Sequence, residues 1–237
     1  MQKSFKNIIE RKSKKASIFY MALIVYSGGL DSTVLLHLLK SQGKADGALL
    51  VDYGQRHIKE LECAKHNCKK LGIPFDIADL KSLSNIFGKN SLTDKTQSVP
   101  DGNYAEENMK STVVPNRNMI MIAIATARAI SIGTNEVAYA AHSGDHAIYP
   151  DCRNEFAEAL DAVLHLCHYE SIKLLRPFVD MNKADIVKLG ATLGVDFSQT
   201  WTCYKGGEKH CGKCATCMER KEAFKLAGIV DTTEYLA

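Results

Sequence analysis

The sequence has little net charge, no internal repeat and no apolar run long enough to span a bilayer. Its 237 residues carry a formal net charge of only +3, which leaves no strong electrostatic footprint for a nucleic-acid partner. The apolar stretch at residues 16–26 is too short to cross a membrane as a helix. We therefore expect no stable nucleic-acid partner and no membrane association.

A basic segment followed by a short apolar run also has the order of a secretory signal, which we reject. Residues 1–20 hold six basic side chains against one acidic side chain, Glu10, and the apolar run overlaps their end. A cleavage site would fall within "YSGGLDS", so processing would destroy the most informative motif of the chain. We interpret residues 1–20 as a basic extension of a cytoplasmic protein, and the eight cysteines as thiols of a reducing compartment.

Short apolar runs alternate with amphipathic segments along most of the chain. We expect strands at residues 23–26, 47–52, 74–80, 136–142 and 174–178, and helices at residues 31–41, 56–71, 116–132, 153–168, 182–193 and 218–227. This alternation predicts an α/β fold with a doubly wound, mainly parallel five-stranded sheet and helices on both faces. Polar residues 80–115 interrupt the pattern, which is typical of a lid or a mobile loop.

The chain divides into three predicted parts: the extension at residues 1–20, an α/β domain at residues 21–195 and a cysteine-rich segment with a helix at residues 196–237. Four cysteines crowd into the last part, with the spacing C-x-x-C-x-x-C and a fourth cysteine eight residues upstream: Cys203, Cys211, Cys214 and Cys217. Short spacings of this kind suit a tetrahedral, structural Zn²⁺ site. An iron–sulfur cluster is the rival, because the same triplet occurs in ferredoxins. We predict one structural zinc ion per chain.

The motif "YSGGLDS" lies where the first predicted strand passes into the first predicted helix. Gly28 and Gly29 allow the backbone to fold closely around an anion, and a helix N-terminus adds a favourable field. Ser27 and Ser32 can donate hydroxyl hydrogen bonds. The sequence around them matches neither the Walker A pattern nor G-x-G-x-x-G. We call residues 26–32 the glycine loop and expect it to bind phosphate.

The glycine loop resembles that of the ATP-pyrophosphatase (PP-loop) superfamily, whose members split ATP between its α- and β-phosphates. Four further motifs follow in order: "DYGQRH" at residues 52–57, "STVVPNRNM" at 111–119, "YPDCR" at 149–153 and "TWTCYKGGEKHCGKCATC" at 200–217. Together the five resemble the 7-cyano-7-deazaguanine synthases, which make the nitrile precursor of queuosine. The resemblance covers residues 22–228, nearly the whole chain beyond the extension.

The resemblance implies an ATP-dependent ligase that forms C–N bonds. Such an enzyme converts 7-carboxy-7-deazaguanine and free ammonia to 7-cyano-7-deazaguanine through an adenylated acid and an amide, with Mg²⁺ accompanying ATP. It also implies a homodimer. Alternatives stay open: a variant that stops at the amide for DNA modification, a PP-loop tRNA thiolase that uses Cys152 or the C-terminal thiols, and a nucleotide-binding sensor without activity.

The same motifs supply the candidate site residues. Those expected to bind ATP are Tyr26, Ser27, Gly28, Gly29, Leu30, Asp31, Ser32, Thr33, Asp52, Tyr53 and Arg56. Those expected to be catalytic are Arg117, Lys183 and Asp31, of which Arg117 and Lys183 would stabilise phosphate charge. Those expected to bind the deazaguanine acid are Gln55, His57, Asp145, His146, Tyr149, Asp151 and Arg153. Among the last group, we assign Asp151 to the guanine-like edge and Arg153 to the acid, and the exchange of these two roles stays open.

Overall fold

A computed structural model describes residues 21–236, without the side chains of Glu106 and Asn108, so the expected basic extension lies outside the described residues. Five parallel strands form one sheet in the order β3-β2-β1-β4-β5. The strands are β1 Ala22–Val25, β2 Ala45–Asp52, β3 Phe75–Asp79, β4 Glu136–Ala138 and β5 Lys173–Leu175. The chain winds outward from β1 in one direction and then in the other, which confirms the predicted doubly wound fold.

Helices cover both faces of this sheet because successive strand residues point to opposite sides. Leu23 packs into a core with α4 and α5, whereas the next residue, Ile24, packs into a core with α1, α2, α6 and α7. The helices are α1 Leu30–Ser41, α2 Lys59–Leu71, α3 Glu106–Met109, α4 Arg117–Ile132, α5 Asn154–Leu164, α6 Lys183–Thr192 and α7 Ala215–Ala227. The two cores account for the nearly continuous apolar sequence of β1.

The long interruption between β3 and α4 is packed against the sheet domain. Leu92 and Met109 are fully buried within it, although the surrounding sequence is polar. The Arg56 guanidinium donates to the backbone carbonyls of Asp94 and Gln97, at 2.7 Å in both cases. Isolated apolar anchors and backbone hydrogen bonds, rather than a regular period, therefore fix this segment beside the end of β2.

The C-terminal segment shares the core of the α/β domain. Phe197 and Phe224 lie edge to face with ring centroids 4.9 Å apart in the core that also contains Val34 of α1. Helix α7 begins at Ala215, three residues earlier than the sequence pattern predicts, because Cys214 takes the extended N-cap conformation. The described chain is thus packed continuously across residue 195, and the division at that position stays a prediction.

Gly28 joins three parts of the fold at one residue. Its φ is +90°, a left-handed conformation that side chains disfavour. A Cβ at this position would lie 2.1 Å from the carbonyl oxygen of Glu60 in α2. Its own carbonyl accepts a hydrogen bond from the backbone N–H of Trp201 at 3.0 Å. The glycine loop can therefore pack this closely against α2 only because residue 28 has no side chain, while the Gly28 carbonyl ties the loop to the C-terminal segment.

We predict that Gly28→Ala destabilises the protein much more than Gly43→Ala. Both glycines have positive φ, but a Cβ at Gly43 meets nothing within 4 Å. Gly43→Ala should cost about 1 kcal/mol of backbone strain, and Gly28→Ala at least about 3 kcal/mol because overlap is added to strain. Denaturant unfolding measures both free energies. Equal losses at the two positions would contradict the close contact at Gly28.

Candidate active site

The glycine loop is held in shape by its own hydroxyl groups. The backbone N–H of Gly29 donates to Ser27 Oγ at 3.1 Å, and Ser27 Oγ lies 3.1 Å from Ser32 Oγ. Thr33 Oγ1 donates to the carbonyl of Gly29 at 2.7 Å. Gly29 is also the N-cap of α1, so the loop presents backbone N–H groups and serine hydroxyls at the start of a 12-residue helix. This arrangement can hold a phosphate.

A cavity opens beside the loop, at the carboxyl ends of the central strands. It brings together many of the predicted site residues: Tyr26, Ser27, Gly29, Leu30, Asp31, Ser32, Tyr53, His57, Arg117, Asp145 and Lys183. This is the edge at which open parallel sheets place their ligand sites, where strand order reverses between β1 and β4. The motifs after β1, β2 and β4 therefore converge on one space.

Other predicted residues lie behind the cavity wall and do not line it. Gln55 donates to the carbonyl of Val51 and to Glu60, which fixes the turn after β2. Gly28, Thr33, Asp52 and Arg56 likewise support the loop, the end of β2 or the segment that follows β3, and their assignment to ATP binding stays a prediction.

Apart from Cys152, the residues of the motif at residues 149–153 do not line the cavity. Asp151 Oδ2 accepts the backbone N–H of Asn118 at 3.0 Å, at the start of α4. Arg153 donates to the carbonyl of His146 at 2.8 Å, and Tyr149 exchanges a hydrogen bond with Thr112 at 2.8 Å. None of Asp151, Arg153, His146 and Tyr149 lines the cavity, so their predicted contacts with a substrate stay untested predictions.

Arg117 brings to the cavity a positive charge that has no close ion-pair partner, although Asp151 and Asp145 act on it at longer range. It is the first residue of α4, and its guanidinium lies 3.4 Å from Tyr53 Oη and 6.0 Å from the centre of that ring. Among the carboxylates whose side chains the structure describes, none comes within 4.0 Å of it. Since arginine stays charged in proteins, this side chain is available to an anion.

Lys183, in contrast, is surrounded by carboxylates. Its Nζ lies 2.6 Å from Glu219 Oε2 and 3.4 Å from Asp31 Oδ2, and only 13% of the side chain is exposed. Burial by itself lowers the pKa of Lys183, but Asp31, Glu219 and Asp145 together raise it above its ordinary value. The lysine is therefore a fixed cation beside the glycine loop.

Asp145 is the centre of a second polar contact on the same side of the cavity. Tyr104 Oη donates to Asp145 Oδ1 at 2.7 Å, and His142 Nε2 lies 3.5 Å from Asp145 Oδ2. Burial by itself raises the pKa of Asp145, but His142, Lys183 and the hydrogen bond from Tyr104 outweigh burial and leave the pKa below its ordinary value. Asp145 is thus an ionised carboxylate at neutral pH.

Sequence reasoning missed the residues that complete these contacts. Tyr104 comes from the polar segment without a clear period, and His142 follows β4. Glu219 is one of three glutamates between Met218 and Ala237, and nothing in its neighbourhood distinguishes it. Tyr204 lines the cavity beside His57, with ring centroids 5.2 Å apart, and only its place next to Cys203 gave a signal.

The four cysteines near the C-terminus form a group that could bind a metal ion. The Sγ atoms of Cys203, Cys211, Cys214 and Cys217 all lie within 4.8 Å of one another, and all four residues are buried. A tetrahedron with metal–sulfur bonds of about 2.3 Å has edges of about 3.8 Å. The Cys211–Cys217 Sγ distance is 3.9 Å, and Cys211 Sγ accepts the backbone N–H of Cys214 at 3.2 Å. The donors and spacing fit a four-thiolate metal centre.

The parallel sheet and the glycine loop at its edge define a PP-loop ATPase-like α/β protein. A family model described as queuosine biosynthesis protein QueC matches residues 21–228. The chain belongs to this family, which confirms the resemblance found in its motifs.

Relatives named 7-cyano-7-deazaguanine synthase match this chain over nearly their whole length. The one from Caldicellulosiruptor saccharolyticus is 50% identical over 90% of this chain and 95% of its own. The one from Pseudoalteromonas translucida is 48% identical over 90% of this chain and 97% of its own. A solved structure of the U34-tRNA thiolase NcsA from Methanococcus maripaludis is 15% identical to this chain, with a TM-score of 0.49. The match covers 88% of this chain and 65% of that one. This likeness is too weak to bear on activity. None of the helices between residues 21 and 236 has the length and apolar character to cross a membrane.

The lowered pKa of Asp145 predicts a pH-dependent effect of Asp145→Asn. The ionised carboxylate contributes stability that is fully present above pH of about 4, the ordinary aspartate pKa, and is lost as the pH falls through the lower value in the folded protein. At neutral pH the substitution should lower the free energy of unfolding by about 2 kcal/mol.

Denaturant unfolding from neutral to acidic pH measures this effect. The difference from the unsubstituted protein should shrink on acidification, because a protonated aspartate and an asparagine then carry the same charge. Asp180→Asn, at an exposed aspartate, is the control and should change little at any pH. A difference that stays constant with pH would refute the assignment.

Proposed function

We propose that the protein converts 7-carboxy-7-deazaguanine and ammonia to 7-cyano-7-deazaguanine, with two ATP cleaved to AMP and pyrophosphate. The observation that carries this proposal is that the glycine loop and the unpaired guanidinium of Arg117 open onto one cavity in a chain of this family. A phosphate cradle and a separate anion partner are what the joining of ATP to a carboxylate requires.

In the first half of the reaction, a carboxylate oxygen of the substrate attacks the α-phosphorus of ATP, and the bond to the bridging oxygen of pyrophosphate breaks. Ammonia then attacks the carbonyl carbon of the acyl adenylate. AMP leaves with one of the original carboxylate oxygens, and a proton is lost from the nitrogen. The product of this half is the amide.

In the second half, the amide oxygen attacks the α-phosphorus of another ATP and releases pyrophosphate again. The C–O bond then breaks, AMP leaves with the remaining oxygen, and the nitrogen loses two protons as the C≡N bond forms. Both oxygens of the acid are thereby removed without net release of water. One site serves both halves, since each needs an oxygen nucleophile held against an α-phosphorus.

The cavity residues suggest separate roles for its two cations. Arg117 has no carboxylate within 4.0 Å among the described side chains, so it is suited to phosphate or to the acid. Lys183, held against Asp31, is suited to neutralising charge as pyrophosphate leaves. Mg²⁺ bound with ATP would offset phosphate charge, and Asp31 is the candidate ligand because its Oδ1 is buried without a hydrogen-bond partner among the described residues. Tyr53 and His57 line the cavity and are candidates for contact with the deazapurine or adenine ring.

The thiolase alternative is disfavoured by the surroundings of Cys152. This thiol lines the cavity and accepts a hydrogen bond from the Asn118 amide at 3.2 Å. Burial, followed by the neighbouring Asp145 and Asp151, raises the pKa of Cys152 above its ordinary value. Because the thiolate is the reactive form, a neutral buried thiol is a poor sulfur carrier. The homodimer and the cytoplasmic location stay predictions.

We further propose that the four-cysteine centre holds Zn²⁺, whose role there would be structural because the thiolates close the coordination shell. The protein as purified should contain one zinc per chain, and Cys211→Ser should lose most of it, whereas Cys167→Ser, at an exposed thiol outside the centre, should retain it. Metal analysis by mass spectrometry measures the ratio.

The single tryptophan gives a second readout of metal loss. Trp201 is buried, and its indole N–H donates to the carbonyl of Cys203 at 2.8 Å. A chelator that removes zinc should shift Trp201 emission to longer wavelength as this contact opens to water. Iron with a visible absorption band in place of zinc would instead identify an iron–sulfur centre.

The proposed function is tested with 7-carboxy-7-deazaguanine, ATP, Mg²⁺ and ammonium, with products and nucleotides measured by mass spectrometry. We expect the nitrile and two AMP per turnover. Arg117→Ala should lower kcat/KM by about 10²–10³-fold, because a positioned positive charge is lost. Arg128→Ala, which breaks an exposed ion pair with Asp76, should have little effect.

Three other outcomes would support the alternative functions instead. An amide with one AMP would identify a variant that stops halfway. Sulfur retained in a product would support the thiolase. ATP binding without any conversion of the substrate would indicate a nucleotide-binding sensor and would refute the enzymatic proposal.

A further inference from the structure

Lys183 owes its position to a residue from another part of the chain. A lysine side chain has four rotatable bonds, so a defined place for its ammonium group requires partners on more than one side. Asp31, in the glycine loop, is one partner at 3.4 Å. The closer partner is Glu219 at 2.6 Å, and Glu219 belongs to α7 in the C-terminal segment.

Glu219 is itself rigidly placed. It follows Cys214 and Cys217 of the cysteine centre within the first turns of α7. The next residue, Arg220, is fully buried and donates to the carbonyl of Phe197 at 3.0 Å and to Thr200 Oγ1 at 2.8 Å. Helix α7 is thus anchored on both sides of Glu219, which leaves this carboxylate little freedom to move away from the lysine.

Glu219 does not line the cavity, so its contact with the reacting groups is indirect. Only 12% of its side chain is exposed, and its hydrogen bond with Lys183 is the shortest polar contact of that lysine. A buried carboxylate at this place needs a positive partner, and a buried lysine needs a negative one. The pair therefore fixes the ammonium group where Asp31 and the glycine loop meet it.

We propose that Glu219 is a positioning residue that holds Lys183 against Asp31 for charge stabilisation at the α-phosphate. The inference rests on the proposed function for its catalytic consequence, whereas the placement of Lys183 rests on the contacts alone. It assigns the C-terminal segment a part in the reaction beyond closing the metal centre.

The test compares Glu219→Gln with Glu222→Gln, whose glutamate is exposed on the same helix. The first readout needs no turnover: acetylation of individual lysines by N-hydroxysuccinimide acetate, followed by peptide mass spectrometry. Glu219→Gln should raise the labelling rate of Lys183 several-fold and leave that of Lys188 unchanged. Glu222→Gln should change neither. An unchanged rate at Lys183, with protein still folded, would overturn the placement.

The second readout is a double-substitution cycle in steady-state kinetics. Glu219→Gln alone should lower kcat about 10-fold or more with a small change in the KM for ATP, because an interaction realised in the transition state is lost. In a Lys183→Ala background, the same substitution should add little, since Glu219 acts through the lysine. Losses that multiply independently would overturn the proposal.

Metal content and the thermal midpoint, measured for every variant, separate positioning from unfolding. Glu219→Gln should keep both close to the unsubstituted protein, and a variant that loses its metal would contradict a role confined to Lys183. Failure of the proposed function has a different signature: the unsubstituted protein would form neither nitrile nor amide, and the labelling of Lys183 would still decide the placement.

Discussion

The structure depends on a backbone contact at Gly28. Here β1 ends, the chain turns into α1, and the carbonyl oxygen of Glu60 occupies the space of a missing side chain. The N–H of Trp201 closes the turn from the other side. The glycine loop, α2 and the segment that carries the cysteines therefore meet at one residue. The hydroxyl groups of Ser27, Ser32 and Thr33 hold the shape of the loop, and these neighbours fix its place relative to α2 and the C-terminal segment.

Charge divides the cavity into two parts with different behaviour. Arg117 lies beside the ring of Tyr53 and has no carboxylate within 4.0 Å among the described side chains, although Asp151 and Asp145 act on it at longer range. An anion bound in the cavity could therefore be its closest charged partner. Lys183 already has Asp31 and Glu219, and Asp145 has His142 and Tyr104. The first part can attract a ligand, whereas the second is preorganised before any ligand arrives. Such a combination is suited to a reaction in which negative charge moves during the chemical step.

The sequence predicts features that depend on neighbouring residues in the chain. The five strands, the glycine loop and the four cysteines are local patterns, and they were located correctly within a few residues. Strand β4 ends at Ala138, earlier than its apolar pattern indicates, because Tyr139 continues with a single hydrogen bond to Leu175. Helix α7 begins earlier than expected because the metal-ligand spacing overlaps its first turn.

Contacts between residues that are far apart in the sequence have no such local pattern. Tyr104, His142 and Glu219 reach the site from three distant stretches, and each is an ordinary polar residue in its own neighbourhood. Asp151 and Arg153 follow β4 at the expected place, yet their side chains bond to α4 and to His146. A motif therefore predicts which turn approaches a site, whereas the direction of each side chain is decided by packing.

The most direct test of the account follows the oxygen atoms of the substrate. If the carboxylate and then the amide oxygen attack the α-phosphorus of ATP in this cavity, 7-carboxy-7-deazaguanine labelled with ¹⁸O at both carboxylate oxygens should transfer one label to each AMP. Mass spectrometry should find singly labelled AMP and unlabelled pyrophosphate. Unlabelled AMP, or label in pyrophosphate or inorganic phosphate, would show that the reaction takes place at another phosphorus and would contradict the account.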